Sequence, residues 1–330
     1  MKGKIVLEEH ISTARNDRTW DSAGESARNG ASYMAAVEHR LRETDERLLE
    51  MDACGIDYSI LSLTSPGIQS ITDTAEAIDA ARSDNETIQQ EFVDRAPTRF
   101  GWFAAVPLQS PDAAADELRR AVGAGAVGAL INGYTDLPDG TARYLDHPDN
   151  HVFWETASAL NVPVYLHPRE PLLGQRKVYE GYDSLVGSAW GFGHETATHA
   201  IRLMLGGIFD EFPGLQVIVG HLGEGLSILL PRLEHRLRKQ RNGIGLGTAQ
   251  LPVGDYFRRN FYVTTSGHFH TKAVLSAVSE LGVDRVLFSV DYPYEDMGEA
   301  TEWFDHALLA ESDRLKIGRE NAQRLFSLGQ

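Results

Sequence analysis

The sequence predicts an α/β fold, a (β/α)8 TIM barrel forming one domain over residues 1–330 with loop insertions at its active-site face. Short apolar runs alternate with amphipathic segments along the whole chain, the runs number eight, and ionisable residues collect where the runs end. Repeated βα units build a parallel sheet, and eight of them close into a barrel. An open doubly wound sheet is the alternative, but no glycine-rich phosphate-binding turn follows the first run.

The predicted strands are Lys4–Leu7, Tyr58–Leu63, Gly101–Val106, Val127–Ile131, Val162–Leu166, Gln216–Val219, Tyr262–Thr265 and Arg285–Val290. Most are continuous apolar runs, as strands buried on both faces require. Between them, Leu226, Leu229, Leu230, Leu233 and Leu237 form one helical stripe, and Ala273, Val274, Ala277, Val278 and Leu281 form another. Gly55, Gly125, Gly214 and Gly282 stand where helices give way to strands, the place of a left-handed cap. Asp313–Leu328 reads as terminal helical packing over the barrel. Two insertions break the rhythm: Ile11–Ser32, containing Trp20, and Pro168–Gly193, containing Trp190 and Phe192. Both follow strands, on the face where barrel enzymes keep their sites, and are expected as solvated loops or as a lid or substrate wall.

Composition narrows the function classes. A hydrophobic share of 42% and a charged share of 24% are ordinary for a globular chain. A formal charge of −16 argues against nucleic-acid or anionic-membrane partners, since both would repel it. No apolar stretch approaches the roughly 20 residues of a membrane helix, and no signal-peptide core opens the chain. The single cysteine, Cys54, excludes an internal disulfide and suits a reducing cytoplasm. A soluble cytoplasmic enzyme is expected.

The chemistry gathers at strand ends. A side-chain period of two places Val6, Glu8 and His10 on one face of the first strand, with Ile5, Leu7 and Glu9 on the other. His167, His221 and Asp291 end the fifth, sixth and eighth runs. One polar residue ending an apolar run could find a local partner; the whole set forms a pattern. Two imidazoles and two carboxylates suit one divalent ion, Zn2+ or Mn2+, so Glu8, His10, His167 and Asp291 are read as ligands. His221 is either a further ligand or an acid–base group behind them, coupled to Glu224 one helical step away. His194 and His199 are five apart and do not form a zincin pair. His268 and His270 read as loop or helix-start residues; His39, His147, His151, His235 and His306 read as surface residues.

With these residues in place the chain resembles the amidohydrolase superfamily, in its branch of non-oxidative aromatic acid decarboxylases such as those of γ-resorcylate (2,6-dihydroxybenzoate) and 2,3-dihydroxybenzoate. The resemblance lies in residues 3–10, 130–133, 164–169, 220–224, 264–267 and 287–293, and spans nearly the whole chain. Hydrolytic members typically open with His-x-His; Glu8-x-His10 resembles the decarboxylases. The resemblance implies Glu8, His10, His167 and Asp291 as metal ligands, and His221 with Glu224 as the catalytic pair. It also implies Arg232 as that pair's support and Trp20, Asn132, Phe192 and Tyr294 as the lining of the ring site. The expected substrate is a small aromatic carboxylic acid, with Asp291 protonating the ring; the expected assembly is a homo-oligomer, a dimer or tetramer. The alternative activity is metal-dependent hydrolysis of an amide, ester or lactone by a metal-bound water.

Overall fold

The computed structural model describes residues 1–18, 28–240 and 247–328. Eight parallel strands form its centre: β1 (Lys4–Ile11), β2 (Ile56–Leu63), β3 (Phe100–Trp102), β4 (Ala129–Asn132), β5 (Val164–His167), β6 (Val217–Val219), β7 (Phe261–Thr264) and β8 (Val286–Leu287). β1–β3 make one hydrogen-bonded run and β4–β8 another. Bridges at Ala104–Ala129 and Glu9–Tyr292 join the two runs at both seams, which closes the ring. A short antiparallel hairpin, Thr135–Asp136 with Ala142–Arg143, projects beyond β4. Among the described residues no helix is long and apolar enough to cross a membrane.

All eight predicted strands are present, with shifted ends. β1 runs on to Ile11 and carries Glu8, Glu9 and His10 within it. β8 stops early because the amides after Leu287 leave the ladder: Phe288 bonds the Ile317 carbonyl at 2.9 Å, Ser289 bonds Thr265 Oγ1 and Val290 bonds Glu9 Oε1, both at 3.0 Å.

Two apolar layers follow from strand alternation. Inside the barrel, Ile5, Leu7, Ile60, Phe103, Leu130, Tyr165, Ile218, Tyr262 and Leu287 pack together, and Ala322, Leu325, Phe326 and Leu328 of the C-terminal segment join them. Outside, Val6, Leu61, Ile131, Leu166, Val219, Val263 and Val286 meet the helix layer. That layer includes α1 (Ala31–Arg40), α2 (Thr44–Cys54), α3 (Thr74–Thr87), α4 (Pro111–Gly123), α5 (His151–Leu160), α6 (Gly191–Leu205), α7 (Leu226–Lys239), α8 (Val253–Asn260), α9 (Thr271–Leu281) and α10 (Met297–His306).

The strict alternation expected of β1 does not hold. Val6 faces the helix layer, while Ile5 and Leu7 point inward. Three residue steps of β1, from Val6 to Glu9, oppose two of β2, from Ser59 to Leu61. This bulge inserts one residue and reverses the phase. Glu8 and His10 therefore follow Leu7 toward the pocket, and Glu9 turns to the outer layer. The expected pairing of Glu8 with His10 holds; their grouping with Val6 does not.

Two smaller expectations are corrected. In α7, Leu226 and Leu230 are buried and Leu233 and Leu237 half-buried, but Leu229 is 56% exposed, because the buried stripe follows i, i+4, i+7, i+11. Gly55 ends α2 in the left-handed conformation at φ 67°, whereas Gly214 is not left-handed and caps no helix.

Candidate active site

At the C-terminal mouth of the barrel, atoms of Glu8, His10, His167 and Asp291 lie within 4.8 Å of one another. β1 supplies Glu8 and His10, β5 ends in His167, and Asp291 follows β8. His10 Nε2 lies 3.2 Å from Asp291 Oδ1, and His167 Nε2 lies 3.5 Å from Glu8 Oε1. The His10 and His167 rings meet edge to face with centroids 4.5 Å apart. Ser62 Oγ holds His10 Nδ1 at 3.1 Å, which leaves Nε2 for the centre.

Glu8 is fully buried, and its two oxygens are used differently. Oε2 accepts hydrogen bonds from the hydroxyls of Tyr165, Ser266 and, at 3.0 Å, Thr264. Oε1 has no hydrogen-bond partner among the described residues, and neither has His10 Nε2. Buried polar atoms without partners are costly, and here they converge on the two carboxylates and two imidazoles of the cluster. That donor set fits a divalent cation of the Mn2+ or Zn2+ kind. Gly220 leaves room for it, since a Cβ there would stand 2.7 and 2.8 Å from the Glu8 oxygens.

The electrostatics agree. Burial pushes the Glu8 carboxyl up, opposed by the charge of His221. Burial drives the His167 imidazole well below its usual value, toward the neutral form that ligates metals. Burial would also raise Asp291, but the imidazoles of His10 and His221 beside it hold its carboxyl below the usual range.

His221 stands beside the cluster, with Nε2 3.5 Å from Asp291 Oδ2 and Nδ1 2.7 Å from Glu224 Oε1. Burial opposes its charge, but the carboxylates of Glu224, Glu8 and Asp291 outweigh burial and raise its pKa well above the ordinary value. The expected helical step from His221 to Glu224 is replaced by a run of left-handed residues: His221 φ 50°, Leu222 56°, Gly223 79° and Glu224 54°. Left-handed backbone costs a non-glycine residue roughly 1–2 kcal/mol, so this turn stores strain where it sets the pair's direction. Gly267 packs under it, where a Cβ would lie 3.0 Å from the His221 ring.

A cavity of about 460 Å³ opens above the cluster. His167, His221, Asp291, Phe192 and Tyr294 line it, as do Arg28 and Asn29 from the first insertion and Pro168–Glu170, Arg176 and Ser188 from the second. Both insertions thus contribute walls. Glu170 joins them, bonded to Arg28 at 2.5 Å and to Arg176 at 2.7 Å. Tyr294 is fixed by a 2.6 Å hydrogen bond to Thr64.

The chain matches the amidohydrolase family model over residues 19–328. The chain belongs to the amidohydrolase family. The γ-resorcylate decarboxylase of Rhizobium sp. strain MTP-10005 is 45% identical over 335 residues, covering 99% of both chains. A crystal structure of 2,6-dihydroxybenzoate decarboxylase complexed with 2,6-dihydroxybenzoate superposes with a TM-score of 0.93 at 44% identity, covering 99% of this chain and 100% of the other. The dihydroxybenzoic acid decarboxylase of Polaromonas sp. JS666, with bound manganese and the inhibitor 2-nitroresorcinol, gives 0.95 at 43% identity, covering 100% of this chain and 98% of that one.

Other members of this chain's expected site are less central. Asn132 is buried, its amide nitrogen 3.4 Å from the Leu63 carbonyl, and it is not among the cavity-lining residues. Arg232 is exposed on α7 and makes no hydrogen bond or ion pair with another described residue, so within this chain it does not reach His221–Glu224. Trp20 lies outside the described residues. His199 is buried and accepts the Leu145 amide at 2.8 Å while His194 is exposed, which separates that pair. The hydroxyls on Glu8 and the rim arginines were not singled out from sequence. Thr264 and Ser266, two apart after an apolar run, were the available signal for the hydroxyls.

Proposed function

We propose that this chain catalyses metal-dependent, non-oxidative decarboxylation of an ortho-hydroxybenzoate, converting 2,6-dihydroxybenzoate reversibly to resorcinol and CO2. The observation that carries the reading is whole-chain similarity to substrate-bound 2,6-dihydroxybenzoate decarboxylase. The carboxylate at position 8, where hydrolytic relatives typically place a histidine, agrees with it.

Glu8, His10, His167 and Asp291 would hold one divalent ion, Mn2+ or Zn2+, which would supply positive charge for the carboxylate and adjacent phenolate oxygen of the substrate. Phe192 and Tyr294 flank the ring in the cavity. Asp291 delivers a proton to the ring carbon bearing the carboxylate. That carbon loses aromaticity, the C–C bond breaks, its electrons return to the ring and CO2 leaves. The Asp291 carboxyl is acidic, so its proton comes from His221, whose Nε2 is 3.5 Å away and whose other nitrogen is held by Glu224. Ser188, Asn29, Arg28 and Arg176 also line the cavity and bear on ring substituents.

The enzyme is read as a cytoplasmic homo-oligomer, a dimer or tetramer. Support for self-association comes from exposed Leu173, Val178, Tyr182 and Trp190 beside the mouth.

The test is incubation of metal-loaded protein with 2,6-dihydroxybenzoate, following CO2 and resorcinol. Asp291→Asn with metal still bound should lower turnover at least roughly 100-fold; near-normal turnover would remove Asp291 as donor. Inertness toward a panel of ortho-hydroxybenzoates, with turnover of esters or lactones, would favour the hydrolase instead.

A further inference from the structure

The β1 bulge has its own support. It leaves the amides of Leu7 and Glu8 to be satisfied outside the strand ladder, and both donate to Ser289 Oγ, at 3.0 and 2.7 Å. The same hydroxyl donates to Glu9 Oε1 at 3.0 Å, and that oxygen also accepts the Val290 amide at 3.0 Å. A hydroxyl offers one proton and two lone pairs, so these three bonds use it completely. Ser289 and Glu9 are both fully buried.

The cluster extends to the neighbouring ligands. Arg47 of α2, itself fully buried, donates to the His10 carbonyl at 2.5 Å and lies over the Tyr292 ring, 4.6 Å from its centroid. The His10 amide donates to the Tyr292 carbonyl at 2.6 Å. One connected group therefore holds the main chain around Glu8 and His10 and on both sides of Asp291.

We propose that Ser289 is a positioning residue whose hydroxyl holds the β1 bulge in the phase that turns Glu8 and His10 toward one centre with Asp291. Without the bulge, plain alternation would put Glu8 on the face of Val6, in the helix layer. The proposal rests on the metal-site reading above and not on the identity of the substrate.

The test compares Ser289→Ala with Thr301→Ala, which removes a buried hydroxyl bonded within α10 to the Met297 carbonyl at 2.7 Å. Metal-free protein is titrated with Mn2+, the Co2+-substituted visible spectrum is recorded, and circular dichroism checks the fold. Ser289→Ala should bind Mn2+ roughly 10- to 100-fold more weakly and shift the Co2+ bands, while Thr301→Ala changes neither. Mn2+ affinity within twofold of the unaltered protein and an unchanged Co2+ spectrum would overturn the proposal even if the melting temperature fell. The hydroxyl would then only stabilise the barrel seam. Should Ser289→Ala fail to fold, Ser289→Cys carries the same two outcomes, because a thiol fills the space but accepts weakly. No substrate enters these measurements, so failure to turn over 2,6-dihydroxybenzoate would count against the proposed function alone.

Discussion

Tyr165→Phe removes one hydroxyl from Glu8 and little else, since the ring stays packed inside the barrel against Phe103. Glu8 Oε2 receives three hydroxyl donors, from Tyr165, Thr264 and Ser266. They favour the charged form of the carboxylate against the effect of burial and aim Oε1 at the cluster. A hydrogen bond to a charged group contributes about 1.5–3 kcal/mol. Two donors remain on the same oxygen after the substitution, so the loss falls near the lower bound, about 1.5 kcal/mol. At about 1.4 kcal/mol per factor of ten, Mn2+ should bind roughly tenfold more weakly. The metal-free protein should lose less stability, because burial already pushes Glu8 toward its neutral form when no cation is present. The assay is Mn2+ titration of the metal-free protein, with free ion followed by electron paramagnetic resonance, beside thermal melts with and without metal. Unchanged Mn2+ affinity would refute the argument that the hydroxyls set the charge and aim of Glu8.

Three further outcomes follow from the same geometry. Gly220→Ala places a methyl 2.7 and 2.8 Å from the Glu8 oxygens, so metal content after purification should fall below half occupancy, measured by elemental analysis. Glu8→His should retain some metal and lose decarboxylation, since imidazole cannot supply the carboxylate that the three hydroxyls address; intact activity would remove the distinction drawn from position 8. Asp84, buried on α3 and bonded by Thr13 at 2.6 Å, has its carboxyl pushed up by burial from 3.8 to about 6. Its ionisation therefore opposes folding: the penalty is absent below about pH 4 and complete above about pH 6. Asp84→Asn should then raise stability by up to about 3 kcal/mol at pH 7–8, at about 1.4 kcal/mol per pH unit, and by nothing at pH 4. Urea melts at the two pH values check this, and an equal gain at both would contradict it.

The strand count, the placing of charged residues at strand ends and the four-group cluster were legible because each follows from local pattern. Continuous apolar runs declare strands buried on both faces, and a barrel brings their ends to one mouth. Glu8, His10, His167 and Asp291 are 283 positions apart at the extremes, yet strand order brings the strand ends that carry them to one mouth. Periodicity could not show which leucines of α7 are buried, since Leu229 fits the helical spacing but faces away from the core.

The sequence by itself determined the fold class, the family resemblance and the chemical identity of the groups gathered at the mouth. Only the tertiary structure decided which face Glu8 and His10 share. Alternation assigned them a common face with Val6, whereas a bulge held by Ser289, distant in sequence, inverts the phase between Val6 and Glu8. The left-handed turn joining His221 to Glu224 was likewise decided in three dimensions. The reason is common to both: a bulge and a left-handed turn cost energy locally, and contacts from remote strands and helices make them stable.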